Sequence, residues 1–110
     1  MSRDERERLR DIKDAIGTIE SHLQRLAKPE KDDPLLHDAL LFQFVVIGEA
    51  VKNLAAETRE SAPQIPWSDI AGLRDLIAHE YFRIEIDRIL EIVDRDLPPL
   101  EQAIDHLLSA

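Results

Sequence analysis

The chain has 110 residues, a formal net charge of −9 and no cysteine. That length allows one domain, spanning residues 1–110, and is short for two. The missing cysteines exclude disulfide staples and thiolate chemistry, and the acid excess excludes a general nucleic-acid coat protein while leaving room for one local cationic pocket. Hydrophobic residues make up 44% of the chain and aromatics only 5%, so Leu, Ile, Val and Ala must fill the core. Residues 1–31 are nearly balanced in charge and the remainder carries most of the acid. Such an acidic surface suits a basic protein partner. The charged start MSRDERERLRD lacks a following apolar stretch and does not read as a signal peptide. No apolar run is expected to reach the roughly 20 residues of a membrane span. These features predict a soluble, cytoplasmic protein that does not enter a membrane.

The spacing predicts a first helix from Arg3 to Lys28, with Leu9, Ile12, Ile16, Ile19, Leu23 and Leu26 on one stripe. Lys28-Pro29 should end it, because the residue before proline avoids the α region. Asp32-Asp33-Pro34 reads as a capped start for a second helix reaching about Glu60. Leu36, Leu40, Phe44, Ile47, Val51 and Leu54 form its stripe, widened by Leu41, Phe42, Val45 and Val46. A helix so apolar is central in a bundle or also buries a partner surface. Ser61 to Pro66 should form a loop. A short third helix then follows Trp67, with Ser68 as cap, and runs out between His79 and Phe82. The last helix begins near Ile86 and keeps a three–four rhythm to Leu107. Pro98-Pro99 should kink it without reversing it, since the stripe stays in phase. The expectation is an all-α antiparallel bundle of four to five helices, with a short motif-bearing third helix and a Pro-kinked last helix.

Arg74, His79 and Tyr81 form the pattern R-x4-H-x-Y within RDLIAHEY. Arginine supplies a permanent planar cation that fits phosphate. Histidine titrates near neutrality and can exchange a proton with a ribose 2′-hydroxyl or a leaving 5′-oxygen. The pair suffices for metal-free RNA cleavage to a cyclic phosphate. At about 100° per residue, Arg74 and Tyr81 lie within about 20° of each other, but Arg74 and His79 diverge by about 140°. Asp75 and His79 share a line. The helix must therefore bend near His79, or two copies must meet across a two-fold axis. On the residues alone a bland alternative is the more ordinary reading: a surface ion pair for Arg74, a helix-capping His79 and a packed Tyr81. His22, His37 and His106 are isolated on helices, and no zinc spacing, nucleotide cradle or nucleophile pattern appears. Neither a metal nor a cofactor is expected. Gly48, inside VVIGEAVKNL, reads as a close helix–helix approach, and Glu49, Lys52 and Asn53 beside it are candidates to line a groove.

VIGEAVKNL (46–54), PQIPWSDIAGLRDLIAHEYFRIEID (63–87) and DLPPL (96–100) together resemble the HEPN family in its HepT-like branch. The resemblance covers nearly the whole chain. It implies a metal-independent endoribonuclease toxin acting as a homodimer on tRNA or mRNA. It also implies an MntA-like nucleotidyltransferase antitoxin as partner. By position, Arg74 and His79 would be catalytic, Asp75 the supporting polar residue, and Tyr81 the residue modified with AMP. Modification would add bulk and negative charge beside the arginine. Two other readings remain open. One is a non-catalytic helical adaptor that presents substrate to a nucleotidyltransferase, which the acidic charge suits. The other is a nucleotide-binding domain without nuclease activity.

Overall fold

The computed structural model describes residues 2–26 and 34–109. All its regular structure is helical: α1 (Arg3–Leu26), α2 (Pro34–Lys52), α3 (Ala56–Glu60), α4 (Trp67–Ala71), α5 (Leu73–Glu80), a 3-10 turn (Tyr81–Arg83) and α6 (Ile86–Ser109). The expected all-α bundle is thus present. The predicted end of the first helix at Lys28-Pro29 and the Asp32-Asp33 cap lie outside the described residues.

The predicted stripes form the core. Leu9, Ile12, Ile16 and Ile19 of α1 are buried with Leu36, Leu40, Phe44, Ile47 and Val51 of α2. Ile89, Val93, Leu97, Leu100, Ile104 and Leu107 of α6 join them. α2 is central: it packs against α1, α4 and α5, and α1 also packs against α6. By length and composition α2 is apolar enough to cross a membrane, contrary to the expectation that no run would be. In this fold one side of it packs against three neighbouring helices, while Leu35 and Phe42 remain exposed.

Polar contacts fix the directions. The buried Glu5 carboxylate accepts the Ala55 N–H at 2.8 Å and the Thr58 hydroxyl at 3.0 Å, tying the start of α1 to the segment after α2. This contact also explains why the predicted long second helix stops at Lys52. The chain turns at Asn53-Leu54, and Glu5 holds the exposed N–H at the start of α3. Arg6 donates to the Leu108 carbonyl at 2.8 Å, and Lys13 pairs with Asp105, so α6 runs antiparallel to α1.

The predicted third helix is divided by Gly72 into α4 and α5. It starts at Trp67 behind Pro66 with no side-chain cap, so Ser68 is not the cap. Instead the buried Trp67 indole donates to the Ala62 carbonyl at 2.9 Å and fixes the preceding loop. α6 runs through Pro98 and Pro99 as one 24-residue element. The apolar stripe stays in phase across them, which offsets the two missing backbone donors.

Gly48 sets the distance between α2 and the α4–α5 pair. A Cβ at position 48 would lie 3.0 Å from the Arg74 backbone nitrogen and 3.2 Å from the Ile70 carbonyl oxygen. Both obstacles are backbone, so they cannot rotate away. Alanine would add about 1 kcal/mol of helix preference, against roughly 1–3 kcal/mol for overpacking. Gly48→Ala should therefore lower stability by about 1 kcal/mol, and Gly48→Val by more, in urea unfolding. A stabilised Gly48→Ala would contradict this contact.

Candidate active site

The Gly48 contact places the Arg74 backbone directly on α2. From there the guanidinium reaches the next residue of α2: Arg74 Nε lies 2.9 Å from Glu49 Oε2. Its Nη1 lies 3.3 Å from Asp75 Oδ1. Both pairs are half-exposed, where such bonds contribute about 0–1 kcal/mol, so they orient the guanidinium more than they stabilise the fold.

His79 stands one turn after Asp75. Its Nδ1 lies 2.8 Å from the Asp75 backbone carbonyl. A carbonyl only accepts, so Nδ1 donates here, and in the neutral ring Nε2 is the nitrogen that carries the lone pair. An exposed imidazole in that tautomer can take a proton from a substrate hydroxyl. The helix remains regular through this residue; the distortion comes afterwards, where Glu80 has φ −125° and ψ 22°. The bend therefore follows His79 and does not turn it toward Arg74.

Tyr81, on the 3-10 turn, comes back to α2 and donates its hydroxyl to the Asp38 carboxylate. Arg74 and Tyr81 thus both reach α2, at Glu49 and Asp38, and α5 runs antiparallel to it. Phe82 stacks edge-on against Tyr81 with ring centroids 5.0 Å apart and is 96% exposed. Leu35 and Phe42, on the same side of α2 as Asp38, are 77% and 63% exposed. Phe82 thus lies against the tyrosine, and Leu35 and Phe42 flank its partner Asp38 one turn to either side on α2.

A groove of about 390 Å³ lies on the other side of Arg74, with Glu49 and Asn53 among its lining residues. Among the described residues no three His, Asp or Glu side chains are grouped to hold a metal ion. Sequence reasoning did not find Asp38 as the tyrosine's partner or Glu49 as the arginine's. Both sit on a different helix from the motif, and only the antiparallel approach of α2 and α5 brings them in.

A family profile described as "Ribonuclease HepT-like" matches residues 12–107. The chain belongs to the HepT-like ribonuclease family. A "probable ribonuclease HepT" of Thermococcus cleftensis is 30% identical, covering 97% of this chain and 98% of its own. A candidate RNase of Caldanaerobacter subterraneus subsp. tengcongensis is 42% identical over 70% of this chain and 69% of its own. A gamma-glutamylcyclotransferase and candidate RNase of Methanocaldococcus jannaschii is 35% identical over 99% of this chain, which spans only 50% of that longer protein. No solved structure matches.

The Tyr81 hydroxyl is pushed above its ordinary value of 10.0, first by donating to Asp38, then by partial desolvation and the Asp38 charge. The neutral phenol is the form that the fold favours. Its contribution to stability is present below about pH 10 and is lost as pH rises through the folded-state value. Tyr81 is the sole tyrosine, so phenolate absorbance reports it directly. The native protein should titrate above free tyrosine, and Asp38→Asn should move the midpoint down toward it. An unshifted midpoint in both would contradict the contact.

Proposed function

We propose that this HepT-like protein is the toxin of a toxin–antitoxin pair, a metal-independent endoribonuclease that cleaves tRNA or mRNA in the cytoplasm as a homodimer. The observation that carries the reading is that Arg74 and His79 stand five residues apart on one helix and turn to different partners, Glu49 of α2 and the Asp75 carbonyl; at about 100° per residue their directions differ by about 140°. A phosphate held by one protomer's arginine lies away from its own histidine. A second copy related by a two-fold axis supplies the missing half. The exposed Leu35, Phe42 and Phe82 beside Tyr81 and Asp38 support a second copy on this side, since large apolar side chains gain most from being covered.

In that site His79 Nε2 removes the proton from a ribose 2′-hydroxyl. The 2′-oxygen attacks phosphorus, the bond to the 5′-oxygen breaks, and the leaving oxygen takes a proton from water, the proton on His79 returning to solvent. The products carry a 2′,3′-cyclic phosphate and a 5′-hydroxyl. Arg74 stabilises the charge that builds on the phosphoryl oxygens. Asp75 supports both groups, its carboxylate against Arg74 and its carbonyl against His79.

Tyr81 is the control point. An MntA-like nucleotidyltransferase antitoxin would transfer AMP from ATP to its hydroxyl. The added phosphate would repel Asp38, so the modified ring would leave its present position and carry bulk and charge toward the arginine. The adaptor reading draws on the net charge of −9, which repels RNA.

Incubation of purified protein with tRNA and mRNA in excess chelator separates the two. The wild type should generate cyclic-phosphate ends, and Arg74→Ala and His79→Ala should each lose about 10²-fold or more. Equal behaviour of wild type and variants would leave the adaptor.

A further inference from the structure

The groove beside Arg74 is not used by the chemistry above. It lies between α1 and α2, with Arg8 and Asp11 on one wall, Val45, Val46 and Ala50 as floor, and Arg74 at its edge. Arg8 is half-buried. Among the described residues it has no ion pair and no hydrogen bond. The chain has 23 acidic and 14 basic residues, so a carboxylate partner would have been easy to supply. The Arg8 stem is packed along the groove while the guanidinium stays open to solvent, which leaves the planar cation free to meet an anionic ligand there. Arg74 faces the same groove, and with Nε committed to Glu49 and Nη1 to Asp75 its Nη2 remains available. The apolar floor suits a ribose or base face, and about 390 Å³ falls in the range of small-ligand sites.

We propose that this groove is a strand-binding subsite. It holds one nucleotide of single-stranded RNA beside the cleaved position, with the phosphate on Arg8 and the sugar and base against Val45 and Val46. The assignment rests on the ribonuclease reading. It adds a binding residue on α1, 66 positions before Arg74 in the chain. Arg8 engages a flanking phosphate and not the reacting one, so it positions the strand. Asp11, on the same rim and unpaired among the described residues, opposes the phosphate and limits how tightly the groove binds.

The test uses a single-stranded 2′-O-methyl oligoribonucleotide, which lacks the attacking hydroxyl and survives the enzyme. Its affinity for the wild type, Arg8→Gln, Asp11→Asn and Arg88→Gln is measured against salt concentration. Arg8→Gln should weaken binding about fivefold and reduce the log–log salt slope by about 0.7, the value of one released counterion on a single strand. Asp11→Asn should tighten binding, and Arg88→Gln, the same charge change on α6, should alter neither quantity. Free AMP should compete only at far higher concentration. Wild-type affinity and slope in both Arg8→Gln and Asp11→Asn would overturn the subsite while leaving the ribonuclease reading intact. Equally strong competition by AMP would make the groove a mononucleotide site and overturn the strand assignment. A wild type that neither binds the oligonucleotide nor cleaves RNA would remove the ribonuclease reading, and the subsite with it.

Discussion

Gly48 meets the backbone of Ile70 and Arg74 so closely that a methyl group would lie 3.0 to 3.2 Å from backbone atoms and force the helices apart by a few tenths of an ångström. The site depends on that contact. It brings the motif-bearing segment onto α2 at one residue and so decides that Arg74 finds Glu49, the next residue along. With Arg74 anchored on α2, the helical repeat sends His79 about 140° away. The bend that would correct this comes one residue too late, at Glu80. It returns Tyr81 to α2 at Asp38 instead. One close approach therefore commits the arginine and the tyrosine to α2 and the histidine to solvent.

In the proposed reaction, a protomer built this way would hold two halves that face apart. The half that would bind phosphate, Arg74, lines the groove shared with Arg8. The proton-transfer half is an exposed imidazole whose tautomer is fixed by the Asp75 carbonyl. In the proposed dimer the halves are exchanged between copies, and Tyr81 lies beside exposed apolar residues that the second copy would approach. Modifying the tyrosine then disturbs both the catalytic cation and the assembly that completes it. The same logic reconciles an acidic chain with an RNA substrate: the cations that matter are few, local and held at set positions.

Much of the fold was legible because it rests on period and composition. Most residues of the stripes of α1, α2 and α6 are buried, although Ile89 and not Leu90 takes the inward place early in α6 and Phe42 of α2 is exposed; α6 runs through Pro98-Pro99 with the stripe in phase. Gly48 was legible as a close approach, since a mid-helix glycine in an apolar run has few other uses. The break after Lys52 was not legible. It depends on Glu5, nearly 50 residues earlier, accepting the Ala55 N–H. Nor was the split at Gly72, where two short helices share a face that the sequence pattern reads as one. Of the motif, the residue types were visible, but their partners Asp38 and Glu49 come from another helix and carry no local signal. The apolar length of α2 misled in the other direction, because a central helix with three neighbours and a membrane span have the same composition.

In the proposed dimer, Arg74 of one protomer serves His79 of the other. Mixing two inactive proteins, Arg74→Ala and His79→Ala, tests it most directly. After subunit exchange, half of the dimers are mixed, and each mixed dimer contains one site with both residues intact if the site is shared. RNA cleavage should then recover to about a quarter of the wild-type rate, from a background near zero in either variant alone. If the mixture, with exchange verified, stays as inactive as its components, the residues act within one protomer and the account is wrong.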